Sequence, residues 1–400
     1  MYNIRNVTED IVWIGANDRR LALFENIFPI PEGVSYNSYL LKDEKTVLLD
    51  TADSAVAGQF FENLEAALDG RTLDYIVINH MEPDHCALLA DVLRRYPDAV
   101  LVGNAKTFTI VSGFFGLENV KRMTVKEGDS LVTGKHTLYF YFAPMVHWPE
   151  VMVSYDATDK VLFSADAFGS FKSLDGNLFN DEVNYERDWM DEARRYYTNI
   201  VGKYGVMVQT ALKKLSALQI DYICPLHGLV WRSDFSSLLE KYDKWSRYEE
   251  ESRGVVVIYA SIYGHTENAA EILARMLSEK GVKDVRVYDA SRTHVSELIA
   301  EIFRVKNIVL ASSTYNAELY TPMKNLVADM KSLAVQNKNF ALIENGSWAP
   351  YAKTQMTEML SALKNCTYED VSLTIRSALK EDQLASLDAL AASLAAKSWF

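Results

Sequence analysis

Short apolar and β-branched runs alternate with amphipathic segments along the first half of the chain. The short runs are bounded by polar residues and turn formers, which is typical of strands, whereas the longer segments repeat their apolar positions at helical spacing. The predicted strands cover residues 35–41, 46–50, 75–78, 100–102, 137–143, 151–155 and 161–164, and the predicted helices cover residues 55–68 and 87–96. This mixture predicts sheets covered by helices.

The pattern becomes helical between residues 185 and 215, where large apolar side chains mostly recur at three- and four-residue steps. These side chains are Trp189, Tyr196, Ile200, Tyr204, Val208, Leu212 and Leu215. We interpret them as one helical face packed against a core, because an apolar stripe with this period is the usual sign of such a face. Residues 220–225 then predict a strand that ends just before His227.

A regular alternation of strands and helices begins after Gly254. The predicted strands cover residues 255–260, 285–289, 307–311, 340–344 and 367–374, and the predicted helices cover residues 267–279, 295–303, 322–333, 353–363 and 382–396. Five strand–helix pairs in this length predict a doubly wound, five-stranded parallel sheet. We therefore divide the chain into a first domain of residues 1–252 and a second domain of residues 253–400.

Composition limits the partners of the protein more than it limits the fold. The 400 residues exceed the roughly 250 to 300 residues that one hydrophobic core usually serves, which agrees with two domains. A formal net charge of −13 argues against a nucleic acid or an anionic membrane as partner, because either would need a basic surface. Three scattered cysteines and the lack of a targeting pattern or a long apolar run indicate a cytoplasmic protein.

Seven potential metal ligands follow predicted strands of the first half. They are His80, Glu82, Asp84, His85, His147, Asp166 and His227. Side chains at the carboxyl ends of strands have a rigid base, and this number of ligands is enough for two metal ions. A set of imidazoles that is rich in carboxylates favours harder, redox-active ions such as iron over zinc.

Each of these residues taken alone has a structural alternative. A buried histidine is more often a hydrogen-bonded core residue than a ligand, and Asp166 alone could serve a turn or a cap. The joint pattern of four strand ends favours a metal site. We interpret Cys86 as a small packing residue, and His136 and His294 as surface residues.

A second candidate site follows the strands of the second half. Residues 261–268 combine hydroxyls and a glycine with the start of a helix, where unpaired backbone amides favour a phosphate. The loop lacks the motifs typical of nucleoside triphosphate and dinucleotide sites. Residues 312–316 and 345–348 follow the third and fourth strands, and these loops would meet the first one at the ligand crevice of a doubly wound sheet.

Together the three loops resemble those of the flavodoxin family, which implies FMN as the ligand. The implied FMN-binding residues are Ser261, Tyr263, Gly264, His265, Thr266, Glu267, Ser313, Thr314, Tyr315, Asn316, Asn345, Gly346, Ser347 and Trp348. Of these, Tyr315 and Trp348 are expected near the isoalloxazine ring, although both could be ordinary loop aromatics. His265 could contact the phosphate through its side chain or contribute only its backbone amide.

The spacing His-x-Glu-x-Asp-His resembles the metallo-β-lactamase superfamily, whose usual form has His where this chain has Glu82. Placed ahead of a flavodoxin-like half, it resembles the flavodiiron proteins, also called A-type flavoproteins, over essentially the whole chain. Residues 36–39, 147–150, 166–169 and 227–232 match that family as well. The resemblance implies a metallo-β-lactamase-like αββα sandwich followed by the flavodoxin-like sheet.

The same resemblance implies a division of the ligands between two irons, and these residues would also be the catalytic ones. One iron would take His80, Glu82 and His147, the other Asp84, His85 and His227, with Asp166 bridging both. The chain departs from the family at Cys86, Ala165 and Leu226, where Ser, Asn and Ser are frequent. None of these departures removes a ligand.

A flavodiiron protein is an oxidoreductase that reduces dioxygen to water, nitric oxide to nitrous oxide, or both, at a non-haem di-iron site fed by FMN. The resemblance implies a head-to-tail homodimer, or a tetramer built from it. Because no Cys-x-x-Cys module follows the last predicted helix, an external electron donor such as rubredoxin is expected. Two alternatives stay open: a zinc-dependent metallo-β-lactamase-type hydrolase fused to a flavodoxin domain, which Glu82 disfavours, and an electron carrier whose first domain holds no metal.

Overall fold

The computed structural model describes residues 1–117 and 119–398, which form two compact units. The first unit consists of Met1–Tyr197 and Val206–Tyr242, and the second consists of Thr198–Gly205 and the chain from Asp243 onward. The domain boundary between residues 252 and 253 stays a prediction. Among the described residues, no helix has both the length and the apolar character that crossing a membrane requires.

A seven-stranded sheet in the first unit has its strands in chain order. The strands are β1 (Arg5–Asn6), β2 (Ile11–Trp13), β3 (Tyr39–Lys42), β4 (Thr46–Leu49), β5 (Tyr75–Val77), β6 (Val100–Gly103) and β7 (Arg122–Thr124). Neighbouring strands are antiparallel from β1 to β4 and parallel from β4 to β7. The parallel part requires crossover connections, which helices supply.

Five strands form the second sheet of this unit, again in chain order. They are β8 (Ser130–Val132), β9 (Thr137–Phe142), β10 (Met152–Asp156), β11 (Val161–Phe163) and β12 (Tyr222–Cys224). One hydrophobic core contains residues of both sheets, such as Leu49 and Val77 from the first and Phe140 and Phe163 from the second. Two sheets that share one core form a sandwich, so the predicted architecture of the first half is confirmed.

The crossover helices of the first sheet differ in part from the prediction. They are α1 (Ala57–Leu68), α2 (Pro83–Cys86), α3 (Leu89–Arg95) and α4 (Ala105–Phe115). In α1, Phe60, Leu64 and Leu68 recur at four-residue steps and are buried, as the helical period requires. The helix predicted over residues 87–96 is confirmed as α3, whereas the short helix α2, which Pro83 begins at the position that proline favours, was not predicted.

The strand predicted over residues 35–41 is interrupted. Two small two-stranded sheets precede β3, one formed by Ala16–Asp18 with Val34–Tyr36 and the other by Leu23–Phe24 with Phe28–Pro29. Between Val34–Tyr36 and β3, Asn37 donates its backbone N–H to the carbonyl of Leu226 at 2.7 Å. This bond takes Asn37 out of the sheet, so the chain leaves one sheet and enters another.

The helical region 185–215 is not one helix. It contains α5 (Tyr185–Asp188), α6 (Met190–Tyr196) and α7 (Gly205–Leu215), with a π-helical turn at Tyr197–Val201 and a 3-10 turn at Gly202–Tyr204. Trp189 interrupts the first helices with a φ of −132°, and Gly202 and Gly205 have low helix propensity. Trp189 and Tyr196 are buried, as predicted. A further helix, α8 (Phe235–Ser246), follows β12.

The second unit is built on a parallel sheet. Its strands are β13 (Ser252–Ala260), β14 (Val285–Asp289), β15 (Val305–Tyr315), β16 (Asn339–Asn345), β17 (Thr367–Tyr368) and β18 (Leu373–Ile375), and its helices are α9 (His265–Glu279), α10 (Val295–Arg304), α11 (Thr321–Ser332), α12 (Ala352–Leu360) and α13 (Leu384–Ser398). The strand order is β14-β13-β15-β16, with β17 and β18 one after the other along β16. Glu318–Leu319 adds a short antiparallel strand to the end of β15.

The fifth strand of this sheet, predicted over residues 367–374, consists of two pieces. Between them, the carboxylate of Glu369 accepts hydrogen bonds from the side chains of Asn339 and Ser393, both at 2.6 Å. These bonds connect Glu369, which lies between β17 and β18, to β16 and α13.

Along β13, neighbouring residues face two different cores. Val256 and Ile258 belong to one core, and Val255 and Val257 belong to the other. A strand that is apolar on both faces is typical of a parallel sheet with helices on both sides. The predicted doubly wound sheet is therefore confirmed.

His136 is wholly buried, so its assignment to the surface was wrong. Its Nδ1 atom lies 3.0 Å from Asp156 Oδ2 and its Nε2 atom lies 3.1 Å from Asp10 Oδ2. Burial lowers the pKa of His136, but the hydrogen bonds to Asp10 and Asp156 outweigh burial and raise this pKa above the ordinary 6.5. The imidazolium thus joins two carboxylates that are far apart in sequence.

We expect the substitution His136→Gln to lower the free energy of unfolding by roughly 1.5 kcal/mol at pH 6 and by less at pH 9. Because the pKa of His136 is higher in the folded state than in the unfolded state, its contribution is complete below about pH 6.5 and is lost as the pH rises through the folded pKa. Urea denaturation at both pH values measures the difference. An equal loss of stability at pH 6 and pH 9 would contradict the charged pairing.

Candidate metal centre and flavin pocket

The loop that follows β5 is held in place by a buried carboxylate. Asp50, at the end of β4, accepts hydrogen bonds from the backbone N–H groups of Asn79 and His80 at 2.8 and 3.1 Å, and from the Asn79 side chain at 2.8 Å. Burial raises the pKa of Asp50 to about 6, against the effect of these hydrogen bonds. Asp50 was missed in the sequence, where its place at the end of a predicted strand was the available signal.

A short helix sets the directions of the next ligands. Glu82 has extended backbone angles and precedes α2, whereas Asp84 and His85 lie inside the helix. The change from extended to helical backbone lets these neighbouring side chains point to different places. His147, Asp166 and His227 follow β9, β11 and β12, as predicted, and reach the same region.

The seven predicted side chains meet in two groups. The first group is His80, Glu82, His147 and Asp166, and the second is Asp84, His85 and His227; in each, the potential ligand atoms lie within 4.8 Å of one another. We call these the His80 group and the His227 group. Two adjacent sets of imidazoles and carboxylates, rather than one, are what a pair of metal ions requires.

Asp166 connects the two groups through its two carboxylate oxygens. Its Oδ2 atom lies 3.2 Å from His80 Nε2 and 3.1 Å from His147 Nε2. Its Oδ1 atom lies 3.2 Å from His85 Nε2 and 3.9 Å from His227 Nε2. One oxygen therefore faces each group, which is the arrangement expected of a bridging carboxylate.

The remaining carboxylate of each group completes it from the other side. Glu82 Oε2 lies 3.2 Å from His80 Nε2 and 3.0 Å from His147 Nε2. Asp84 Oδ2 lies 3.4 Å from His85 Nε2 and 3.2 Å from His227 Nε2. In both groups, the Nε2 atoms and the carboxylate oxygens point toward a common space.

Several of these buried atoms lack a hydrogen bond within the described part of the chain. They are both carboxylate oxygens of Asp84 and of Asp166, both ring nitrogens of His85, and Nε2 of His227. They approach one another closely, but not with hydrogen-bond alignment. Buried polar atoms are costly without partners, and atoms that converge without pairing are well suited to binding a cation between them. With four imidazoles and three carboxylates, the donors fit iron.

The electrostatics of the site also favour a bound cation. Burial lowers the pKa of His147, but the carboxylates of Asp166 and Glu82, at 3.1 and 3.0 Å from its Nε2 atom, outweigh burial and raise this pKa to about 9. Burial raises the pKa of Asp166, but the nearby charges of His80 and His85 outweigh it and hold this pKa well below its usual range. Carboxylates at this density thus stabilise positive charge on the imidazoles, and metal cations would supply that charge directly.

Groups behind the ligands fix two of the rings. His80 Nδ1 lies 2.9 Å from Glu150 Oε1, and His227 Nδ1 lies 2.7 Å from the carbonyl oxygen of Ser35. Such contacts fix the tautomer and orientation of a ligand histidine, leaving Nε2 free for a metal. The ring of Trp148 stands edge-on to the ring of His80, with centroids 5.4 Å apart.

Aromatic side chains surround the ring of His227. The centroids of Phe24, Tyr36 and Tyr196 lie 5.3, 5.8 and 5.5 Å from its centroid. Tyr196 is buried, as its interpretation as a packing residue of a helix requires. Its ring also contacts His227, which is a predicted ligand. These rings exclude water from one side of the His227 group.

Glu25 is a further residue of the site that the sequence did not reveal. It occupies the left-handed region, with a φ of 49°, in the turn that joins Leu23–Phe24 to Phe28–Pro29. Although the residue as a whole is exposed, its carboxyl group is buried against Glu82. Burial and the charge of Glu82 raise the pKa of Glu25 to about 8.

Cys86 is not among either group of potential ligands. Its thiol is buried and donates to the carbonyl oxygen of Met81 at 3.1 Å, and burial raises its pKa. Both facts agree with the packing role predicted for it. His294 accepts a hydrogen bond from the N–H of Ser296 and caps α10, so it has a local structural role.

A cavity of about 400 Å³ in the second unit lies at the carboxyl ends of β13, β15 and β16. It is lined by Ser261, Ile262, Tyr263, His265, Thr266, Ser313, Thr314, Tyr315, Asn316, Ala317, Asn345, Gly346, Ser347, Trp348, Ala349 and Ser377. The three predicted loops thus meet around one pocket. Of the residues predicted to bind FMN, Gly264 and Glu267 do not line it, whereas Ile262, Ala317, Ala349 and Ser377 were not predicted.

Hydrogen bonds connect the first loop to the second and shape the first loop itself. The hydroxyls of Thr266 and Ser313 lie 3.0 Å apart, and the N–H of Gly264 donates to Ser261 Oγ at 3.1 Å. Gly264 has a φ of +86°, which lets the chain turn into α9 with its first amides facing the pocket. Backbone amides at a helix N-terminus together with hydroxyls fit a phosphate.

The mouth of the pocket carries large aromatic side chains. Tyr263 is 90% exposed and Trp348 is 88% exposed, and Tyr315 lies beside the same opening. Exposed aromatic rings that gather at one opening are typical of a surface that contacts a ligand or a partner. A phosphate cradle flanked by such rings fits a flat, phosphorylated ligand.

Comparison with known proteins agrees with the two-part architecture of the chain. The family model for ODP family beta lactamase matches residues 34–228, and the flavodoxin model matches residues 257–384. Similar solved structures include the flavodiiron protein from Giardia intestinalis, with a TM-score of 0.94 and 24% identity, covering 100% of this chain and 97% of that one. Another is the rubredoxin oxygen:oxidoreductase from Desulfovibrio gigas, with a TM-score of 0.90 and 26% identity, covering 98% of each chain.

The sequence likeness extends across both halves of the chain. The anaerobic nitric oxide reductase flavorubredoxin of Escherichia coli is 31% identical over 382 residues, which are 94% of this chain and 78% of the relative. Similarity at this level over almost the whole length shows the family. This chain belongs to the flavodiiron proteins, a family of oxidoreductases.

Proposed function

We propose that this protein reduces dioxygen to water, nitric oxide to nitrous oxide, or both, at a non-haem di-iron site that receives electrons from FMN. The observation that carries the proposal is the position of Asp166, whose two carboxylate oxygens face two separate groups of ligands. A simple electron carrier has no need for two such groups, and the share of carboxylates among the seven side chains favours iron over the zinc of a hydrolase.

We propose that the two groups hold one iron each, with Asp166 shared. The first iron takes His80, Glu82 and His147, and the second takes Asp84, His85 and His227. When bound, a pair of irons and a flavin supply the electrons that the reduction of a diatomic gas requires.

The residues around the irons have separate tasks in this proposal. Asp50 holds the ligand loop through the amides of Asn79 and His80. The rings of Tyr36 and Tyr196, which lie against His227, exclude water from that side of the site. Without water on that side, a small uncharged substrate can enter the pocket. The electrostatic interactions inside the pocket are also stronger in the absence of water.

FMN occupies the pocket of the second unit in this proposal. The amides at the start of α9 and the hydroxyls of Ser261 and Thr266 would hold its phosphate, and Tyr315 and Trp348 would lie beside its ring system. His265 lines the pocket at the first position of α9, and its backbone amide would contribute to the phosphate site.

An external donor and a subunit partner complete the proposal. A relative is named a flavorubredoxin and a structural neighbour is named a rubredoxin oxygen:oxidoreductase, which supports rubredoxin or a similar small protein as the donor. The head-to-tail homodimer, or a tetramer built from it, rests on the family resemblance alone. We also propose a cytoplasmic location, in agreement with the scattered cysteines.

A zinc hydrolase is the weaker candidate. Glu82 contributes a carboxylate to the His80 group, which raises the share of hard oxygen ligands in a site that zinc would prefer to be nitrogen-rich. The family comparison also points to oxidoreductases.

We expect the protein to bind FMN at least about tenfold more tightly than riboflavin, because the loss of a charge-assisted hydrogen bond to phosphate costs roughly 1.5 kcal/mol or more. Flavin fluorescence quenching measures both affinities. Ser261→Ala should weaken binding of FMN alone, whereas the matched variant Trp348→Ala should weaken binding of both flavins to a similar extent. Equal affinity of the unaltered protein for FMN and riboflavin would contradict the phosphate assignment.

Stopped-flow oxidation of the fully reduced protein by each gas in parallel tests the proposed reaction. We expect at least one gas to oxidise the flavin faster than it oxidises free FMN, and dioxygen to yield water without released peroxide. Asp166→Ala should slow this oxidation by more than about a hundredfold, since both metal positions lose a ligand. Oxidation by neither gas above the rate of free FMN would contradict the proposal.

A further inference from the structure

The histidines of the metal site differ in what lies behind them. His80 Nδ1 contacts the carboxylate of Glu150 at 2.9 Å, and His227 Nδ1 contacts the backbone carbonyl of Ser35 at 2.7 Å. His85 Nδ1 is buried and has no hydrogen-bond partner among residues 1–117 and 119–398. A charged acceptor therefore supports one ring, a neutral acceptor supports another, and a third has none.

Glu150 is a fixed part of the fold. Its side chain is wholly buried, and its Oε1 atom accepts hydrogen bonds from the N–H of Met81 at 2.9 Å as well as from His80. The side chain of Asn104, which caps α4, donates to the backbone carbonyl of Glu150 at 2.6 Å. The bonds from Met81 and Asn104 do not involve a metal ligand side chain. They therefore hold Glu150 in position before a metal binds.

The charge of Glu150 has little local compensation apart from His80. Its second oxygen, Oε2, is buried without a hydrogen-bond partner among the described residues. A buried carboxylate with one free oxygen acts strongly on the single ring that it contacts. Through the hydrogen bond at Nδ1, it raises the electron density at Nε2 and makes that nitrogen a stronger metal ligand.

We propose that Glu150 is a positioning residue that makes the His80 group the tighter of the two metal positions, so that this position fills first. The inference rests on the proposed function in one respect, namely that each group holds one metal ion. The His227 group has no corresponding carboxylate behind its rings among the described residues.

Metal-depleted crystals of the unaltered full-length protein, soaked with one equivalent of Co²⁺, test the order of filling directly. We expect the anomalous signal of cobalt to lie between His80, Glu82 and His147. Equal signals in both groups, or a stronger signal in the His227 group, would overturn the proposal. This measurement requires no variant, so it stands even if a substitution at residue 150 disturbs folding.

Titration with Co²⁺ in solution tests the role of Glu150 itself. Glu150→Gln keeps the shape of the side chain and its hydrogen-bond acceptor toward His80 but removes the charge. We expect the affinity of the first binding step to fall about tenfold to a hundredfold, with the second step unchanged. The matched control, Glu65→Gln, removes an exposed carboxylate on α1 that pairs with Arg95 and should leave both steps unchanged.

The number of bound Co²⁺ ions tests the two-metal site, and the affinity of the first binding step tests the role of Glu150. Binding of fewer than two Co²⁺ ions by the unaltered chain would overturn the two-metal site and the role of Glu150 together. Two bound ions with the same first-step affinity in the unaltered protein and in Glu150→Gln would overturn the role of Glu150 alone.

Discussion

The burial of seven ionisable side chains in one place is the constraint on which the first unit depends. Three carboxylates and four imidazoles cannot be removed from water unless their charges are compensated. The sandwich brings them together because each ligand follows a strand, and strand ends hold side chains rigidly. Asp166 is the central member, since its two oxygens face both groups. The unpaired atoms of Asp84, His85 and His227 show that the protein alone leaves this compensation unfinished.

The candidate site of the second unit is suited to a ligand of the opposite charge. Its pocket offers backbone amides and hydroxyls to an anion instead of carboxylates to a cation. Gly264 turns the chain into α9, and the hydroxyl pair of Thr266 and Ser313 joins two loops that come from different strands. In both units the candidate site lies at the carboxyl ends of strands, while the strands themselves contribute to the hydrophobic cores.

The sequence predicted that the seven potential ligands meet because their spacing and their position after apolar runs are local features. It did not predict what depends on residues distant along the chain. His136 looked like a surface residue because its partners, Asp10 and Asp156, lie far away in sequence. Glu25 reaches Glu82 only through the left-handed backbone of a tight turn. The helical region 185–215 was predicted without its breaks, since its apolar period continues past Tyr196 while the backbone does not.

Diffraction at the iron absorption edge, from protein produced with iron, tests the central claim most directly. The account predicts two iron peaks in each chain, roughly 4 Å apart, with Asp166 between them and the His80 and His227 groups on either side. A single peak, two zinc ions in place of iron, or an Asp166 carboxylate bound to only one metal would contradict it.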